Sequence, residues 1–198
     1  MKRIFDLVIS TVLLILLSPL LLVLSALVLL FNGAPILFTQ PRPGYRGKIF
    51  NIYKFRTMAQ TKNSDGTDMP DSVRITPFGN FLRKFSLDEL PELLNIFLGQ
   101  MSFVGPRPLL VQYLSRYNVE QNRRHDVLPG LTGWAQINGR NAISWDEKFK
   151  LDVWYVDHQS FWLDLKIMAI TLLKVIKKEG ISQPGHATSE EFMGNDKI

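Results

Sequence analysis

Apolar and polar positions alternate in distinct regimes along the chain. From Leu7 to Phe31 the side chains are apolar except for Ser10, Thr11, Ser18 and Ser25, a helix long enough for a hydrocarbon core of about 30 Å. The run is too long for a signal peptide and lacks a small-residue cleavage site, so it is expected to be kept. Ser18-Pro19 falls at its centre, where proline removes one helical hydrogen bond and a serine hydroxyl can satisfy the freed carbonyl. Two arrangements stay open: a single span with a tolerated proline, and a re-entrant helix that turns back. Asn32-Gly33-Ala34-Pro35 ends the element.

Beyond it the pattern predicts a strand over 36–39, a turn at Pro41-Arg42-Pro43-Gly44, and a strand over 48–58 with Phe50, Ile52, Lys54 and Arg56 on one face. The stretch 59–74 is polar and reads as a mobile loop. Thr76-Pro77 fits a helix cap and first position, followed by an apolar stripe of Phe78, Phe81, Leu82 and Phe85. Ser86 and Glu89 read as a capping box opening a further helix, with Leu90, Leu94 and Phe97 on one face and Asp88, Glu92 and Asn95 on another. Pro91 inside that helix predicts a distorted turn, and Gly99 a stop. A strand over 101–104, a helix over 109–126, a turn at Pro129–Gly133 and a strand at 134–140 with Gln136, Asn138 and Arg140 aligned come next. Two helices close the pattern, over 144–157 and 161–178. The second has a stripe of Leu165, Met168, Ile170, Leu172 and Ile176 opposite Lys166, Lys174, Lys177 and Lys178, suited either to a membrane interface or to core packing. The polar stretch 183–198 reads as a loosely ordered tail.

Composition sharpens this picture. The chain has 198 residues, 46% of them hydrophobic, enough for one core. The fold expected is α/β: residues 32–182 as a small domain of helices around a small sheet, behind a membrane helix at 1–31. A net charge of +5 points to anionic lipid or phosphorylated small molecules, and the apolar N-terminus favours these over nucleic acid. Lys2 and Arg3 precede the apolar run, and Arg42, Arg46, Lys48, Lys54 and Arg56 follow it, which draws both ends to the cytoplasmic face. The chain has no cysteine, which rules out disulfides and thiolate metal sites. His125 and His158 are isolated and read as structural.

The candidate chemistry gathers around residues 83–92. Asp88 and Glu89 are adjacent acids that suit a cation, and the short helix before them delivers Arg83. Arg107 lies between Pro106 and Pro108, which fix its backbone, and a preset guanidinium suits phosphate. Lys54 supplies a further charge. An anionic-lipid-binding scaffold anchored in the membrane explains the charge and the apolar segment, but not a paired acid beside a fixed arginine.

Four motifs in order, Lys54-Phe55-Arg56-Thr57-Met58, Ser86-Leu87-Asp88-Glu89-Leu90-Pro91-Glu92, Ser102-Phe103-Val104-Gly105-Pro106-Arg107-Pro108 and Pro129-Gly130-Leu131-Thr132-Gly133-Trp134, resemble the bacterial sugar transferases, the monotopic phosphoglycosyl transferases, in the form without additional N-terminal spans. The resemblance implies transfer of a sugar 1-phosphate from a UDP-sugar to undecaprenyl phosphate at the cytoplasmic face of the bacterial inner membrane. It implies Asp88 as nucleophile, Glu89 as its partner, Mg²⁺ at both, a re-entrant helix broken at Ser18-Pro19, and downstream glycosyltransferases as partners. Arg140–Trp145 and Pro184–Thr188 are similar to a subgroup whose donor carries N,N'-diacetylbacillosamine. The alternative donor is a UDP-hexose feeding O-antigen, capsule or exopolysaccharide.

Overall fold

A computed structural model describes residues 1–59, 69, 71–139, 143–177 and 191–195. Of the loop expected over 59–74, residues 60–68 and 70 lie outside these residues, as do Arg140 and the tail motif Pro184–Thr188, while its end, Asp71–Arg74, is helical.

The apolar run forms two helices, α1 (Lys2–Leu16) and α2 (Ser18–Asn32), meeting at Leu17 with a bend of 64°. The break lies where the serine-proline pair sits. Pro19 occupies the first turn of α2, and the Ser18 hydroxyl donates to the Ile15 carbonyl at 2.8 Å, the group that the proline nitrogen cannot reach. Among the described residues no single helix is long and apolar enough to cross a membrane, while the bent pair meets that test by length and composition alone.

Both ends of the pair are fastened to the domain behind it. Lys2 Nζ donates to the Val104 carbonyl at 2.9 Å and to Asp164 at 2.5 Å, while Arg3 donates to the carbonyls of Ile96 and Phe97. At the other end Asn32 donates to the Arg56 carbonyl and accepts from the Thr76 hydroxyl.

Strands β1 (Leu37–Pro43) and β2 (Ile49–Phe55) form an antiparallel hairpin. β1 runs through the Pro41-Arg42-Pro43 expected as a turn. The bonds from Gly44 N to Lys48 O and from Arg56 N to Ile36 O show that the even-numbered residues of β1 face β2. Both prolines then direct their nitrogens outward, where a missing donor is harmless.

The one-turn helix α3 (Asp71–Arg74) leads to α4 (Pro77–Lys84), capped as expected by the Thr76 hydroxyl, which accepts from Gly79 N at 2.8 Å. The capping box at Ser86 is not formed. Ser86 is left-handed, at φ 54°, and residues 87–89 make a single 3₁₀ turn. The helix proper, α5 (Glu92–Phe97), starts only after Pro91, so the proline precedes it and does not kink it. Gly99 ends it with φ +78°.

α5 also inverts the expected faces. Glu92 and Asn95 are buried with Leu93 and Ile96, while Leu94, Phe97 and Leu98 are exposed. The Asn95 amide explains its place inside, since it accepts from Tyr53 N and donates to Asn51 O, pinning β2.

The remaining strands form a second sheet, β3 (Ser102–Val104) pairing in parallel with β4 (Gly130–Thr132), so the expected single sheet is two. The approach is so close that a Cβ on Gly130 would stand 2.0 Å from Gly105 N. β4 thus occupies the predicted turn, and residues 134–137 of the predicted strand form a short helix instead, which leaves Gln136 and Asn138 bonded to nearby carbonyls rather than aligned. The predicted helix over 109–126 is broken into 3₁₀ turns around α6 (Val119–Asn122), because Tyr117 is extended and Asn118 starts a new capping box with Gln121. The short helix is α7 (Trp134–Ile137); α8 (Trp145–His158) and α9 (Phe161–Lys177) follow as predicted in extent.

The core gathers Phe50, Ile52, Leu93, Ile96, Met101, Phe103, Ile137, Tyr155 and Ile167, with Phe5, Ile9, Leu13 and Leu17 of the N-terminal pair packed against it. On α9 the inward face is rotated from the predicted stripe. Asp164 and Ile167 point in, Lys174 donates to the Ile137 carbonyl, and Trp162, Lys166, Leu172 and Leu173 are exposed.

Candidate active site

An open cleft of about 2470 Å³ runs across one side of the domain and is lined by Lys54, Arg83, Asp88, Glu89, Glu92 and Arg107. β2 delivers Lys54, the C-terminal turn of α4 delivers Arg83, and the 3₁₀ turn before Pro91 delivers the two acids. Lys54 and Arg56 diverge, because β2 ends at Phe55. Arg56 turns to the carbonyls of Met58 and Ala34.

Glu89 is the hub. Its Oε1 accepts from Lys54 Nζ and from Arg107, both at 2.7 Å. Burial raises its pKa, but Arg107 and then Lys54 outweigh burial and hold the carboxyl well below the usual range. Lys54 stays firmly protonated for the converse reason: burial opposes its charge, and Glu89 and Glu92 overcome it.

Asp88 differs in kind. It forms no hydrogen bond or ion pair among the described residues, and it lines the open cleft. Burial first, and the charge of Glu89 second, push its pKa above the ordinary value, against Lys54, Arg83 and Arg107. Arg83 donates to the Thr57 hydroxyl at 3.0 Å and contributes to Asp88 through its charge.

Glu92 belongs with this group although its spacing alone marks only a polar helix face. It is 2% exposed, its Oε1 lies 3.2 Å from Lys54 Nζ without hydrogen-bond alignment, and burial pushes its pKa up to about 7. Between pH 4.5 and 7 the folded Glu92 keeps a proton that the unfolded chain has lost, so its burial costs stability as pH rises and the full cost is present above 7. Glu92→Gln should therefore stabilise the protein above pH 7 by roughly 3 kcal/mol and flatten the pH dependence below it. Thermal unfolding in detergent at pH 5 and pH 8 checks this; an unchanged difference between the two pH values would contradict it.

Arg107 is set by more than its flanking prolines. One terminal nitrogen of the buried Arg124 donates both to the Arg107 carbonyl at 2.8 Å and to Asp152 at 2.7 Å, and its Nε donates to the same Asp152 oxygen at 3.1 Å. Arg124 and Asp152 escape the sequence pattern because they lie 28 residues apart on different helical segments. His125 contacts the Gly44 carbonyl, and His158 stacks on Trp154, which are structural roles.

For a divalent cation the fit is limited but real. Among the described residues no group of three or more His, Cys, Asp or Glu side chains could hold a metal, and Glu89 Oε1 is already shared. Asp88 and the second Glu89 oxygen remain. Magnesium needs no more than one or two carboxylates where substrate phosphates and waters complete its shell.

A paired acid among three phosphate-suited cations, set in a cleft beside a broken apolar helix pair, is the arrangement of an enzyme acting on phosphorylated substrates. The family profile "Bacterial sugar transferase" matches residues 1–178, and the chain belongs to that family; it is a phosphoglycosyl transferase. It is 54% identical over 198 residues to the uncharacterized sugar transferase EpsL of Bacillus subtilis, covering 100% of this chain and 98% of that one. It is 39% identical to the UDP-glucose:undecaprenyl-phosphate glucose-1-phosphate transferase of Escherichia coli (88% of this chain, 40% of that one) and 36% identical to the undecaprenyl-phosphate galactose phosphotransferase of Salmonella typhimurium (91% and 41%). The chain thus spans about two fifths of the length of these two named transferases and nearly all of EpsL.

Proposed function

We propose that this protein transfers a hexose 1-phosphate from a UDP-hexose to undecaprenyl phosphate, releasing UMP, in an early membrane step of polysaccharide assembly. The observation that carries this reading is the Asp88 carboxylate, without a hydrogen bond among the described residues, beside an ionised Glu89 paired with Lys54 and Arg107. The relatives favour a hexose: the Escherichia coli one is named for glucose and the Salmonella typhimurium one for galactose.

An Asp88 oxygen bonds to the sugar-bearing phosphorus, and the bond from that phosphorus to the bridging oxygen breaks, so UMP departs with the electron pair. An oxygen of undecaprenyl phosphate then attacks the same phosphorus and the Asp88 carboxylate is restored. Lys54, Arg83 and Arg107 hold phosphate oxygens through both steps. Mg²⁺, held by Asp88 and Glu89 with the diphosphate, would supply charge neutralisation. A panel of UDP-sugars with labelled undecaprenyl phosphate tests the reading. Turnover of UDP-glucose or UDP-galactose is expected, and turnover of UDP-N,N'-diacetylbacillosamine alone would overturn the donor assignment.

The Arg107 fork has its own expected result. Arg107→Lys keeps the charge but loses bidentate geometry, and kcat/KM should fall at least about tenfold, as for one charge-assisted bond worth roughly 1.5–3 kcal/mol. Kinetics within twofold of the parent would make Arg107 a surface-turn residue.

We infer further that the bent pair enters and leaves one face of the cytoplasmic membrane, with the cleft on the cytoplasmic side. The supporting feature is that Lys2 and Arg3 at one end, and Asn32 at the other, bond to the same domain. Because the chain lacks cysteine, single cysteines at Ile4 and Asn51 can be labelled with an impermeant thiol reagent. Both should stay protected in spheroplasts until lysis; labelling of position 4 from outside would establish a span.

A further inference from the structure

The reaction proposed above requires two phosphate stations in the cleft. One holds the phosphorus that Asp88 attacks; the other, in line behind it, holds the nucleotide's phosphate first and the lipid acceptor's phosphate afterwards. The residues already described crowd the first station. The field at Asp88 comes from Glu89, Lys54, Arg83 and Arg107.

Arg42 stands further along the same wall. In the hairpin register Phe38 opposes Lys54, Gln40 opposes Ile52 and Arg42 opposes Phe50. Directly opposed residues share a face, so Arg42 and Gln40 lie on the face of Lys54, and all three line the cleft. Four residues of strand separate the Lys54 row from the Arg42 row, roughly 13 Å.

The Arg42 guanidinium is preset but incompletely bonded. One terminal nitrogen donates to Gln40 Oε1 at 2.6 Å, while Nε is buried with no partner among the described residues. A buried donor left open is costly, so an arriving acceptor is favoured. Burial, and after it the nearby Arg107 charge, lower the Arg42 pKa to about 10. Arg107 gives its own terminal nitrogen to Glu89, and Glu92 acts on Arg42 against Arg107, so what a phosphate would fill by Arg42 is the open Nε donor.

We propose that Arg42, beside Arg107, binds the in-line phosphate in both half-reactions: that of the departing UMP, then that of the polyprenyl phosphate. This rests on the transferase reading. It also orients the donor, with the sugar phosphate at the Lys54 and Arg83 end and the nucleotide toward Arg42.

The experiment compares the parent protein with Arg42→Lys, which keeps stem and charge but has no Nε–H fork, and with Arg42→Met, which keeps the stem alone. Inhibition constants for UMP and for glucose 1-phosphate are measured alongside KM for donor and acceptor. UMP inhibition should weaken at least tenfold in both variants, KM should rise comparably for donor and acceptor, and glucose 1-phosphate inhibition should stay within twofold. Unchanged UMP inhibition in Arg42→Lys and Arg42→Met, or a KM change confined to one substrate, would overturn the assignment. Matched thermal unfolding midpoints separate these outcomes from misfolding. If the parent itself turns over no UDP-sugar, the transferase reading fails, and UMP binding by calorimetry still decides whether Arg42 holds a nucleotide phosphate.

Discussion

Replacing Asp88 with asparagine should abolish turnover, because an amide cannot form the acyl-phosphate that links the two half-reactions. Asp88 is exchanged there at nearly constant volume, and no hydrogen bond among the described residues is lost with it, so folding should be spared. Incubation with donor alone followed by intact-mass measurement gives the cleanest reading. The parent should gain the mass of one hexose phosphate and release a stoichiometric burst of UMP, whereas Asp88→Asn should do neither. An adduct that persists in Asp88→Asn would remove this residue from the nucleophile's role. Because burial and Glu89 raise the Asp88 pKa, the acid limb of the parent's pH profile should also lie above an ordinary aspartate's value.

Lys54→Met should have the next largest effect, on stability and activity together. Lys54 Nζ lies between Glu89 Oε1 at 2.7 Å and Glu92 Oε1 at 3.2 Å. Its removal takes away the cation between the two acids and leaves Arg107, with Arg42 acting on Glu92, to compensate. Breaking one partner out of such a buried pair costs about 3–5 kcal/mol, and activity should fall by at least about a hundredfold if a transition-state contact goes with it. The double variant Lys54→Met with Glu92→Gln should recover much of the stability and little of the rate. Equal recovery of both would mean that Lys54 serves folding alone.

How far these residues could be read from the chain depends on whether their signals are local. Thr76-Pro77 and Ser18-Pro19 act within one turn of helix, through a hydroxyl and a missing donor, and both appear as expected. Lys54, Glu89 and Arg107 could be singled out by residue type and motif, but their convergence on one oxygen follows from packing β2 against the turn before Pro91. Ser86 misled because a capping box presumes extended backbone at the cap, and here the residue is left-handed. Pro41 and Pro43 suggested a turn because strand periodicity says nothing about which nitrogens face a partner. α5 misled most: amphipathic reasoning assumes water outside and oil inside, and this helix keeps Glu92 and Asn95 within the protein while Leu94 and Phe97 face out. Arg124 and Asp152 gave no signal, since only the fold brings them under Arg107.

The 64° bend between α1 and α2 fixes how deep such a wedge can sit. Two arms of 15 residues are each about 22 Å long, and a symmetric wedge with that bend dips only ~12 Å below the line joining its ends. Half of a hydrocarbon core is about 15 Å. Placed with both ends at one face, the pair would therefore displace lipid from a single leaflet and leave the opposite one intact. Protein area would be added to one monolayer only, which favours membranes curved so that this monolayer is the convex one, and makes recruitment sensitive to lateral pressure rather than to total bilayer thickness.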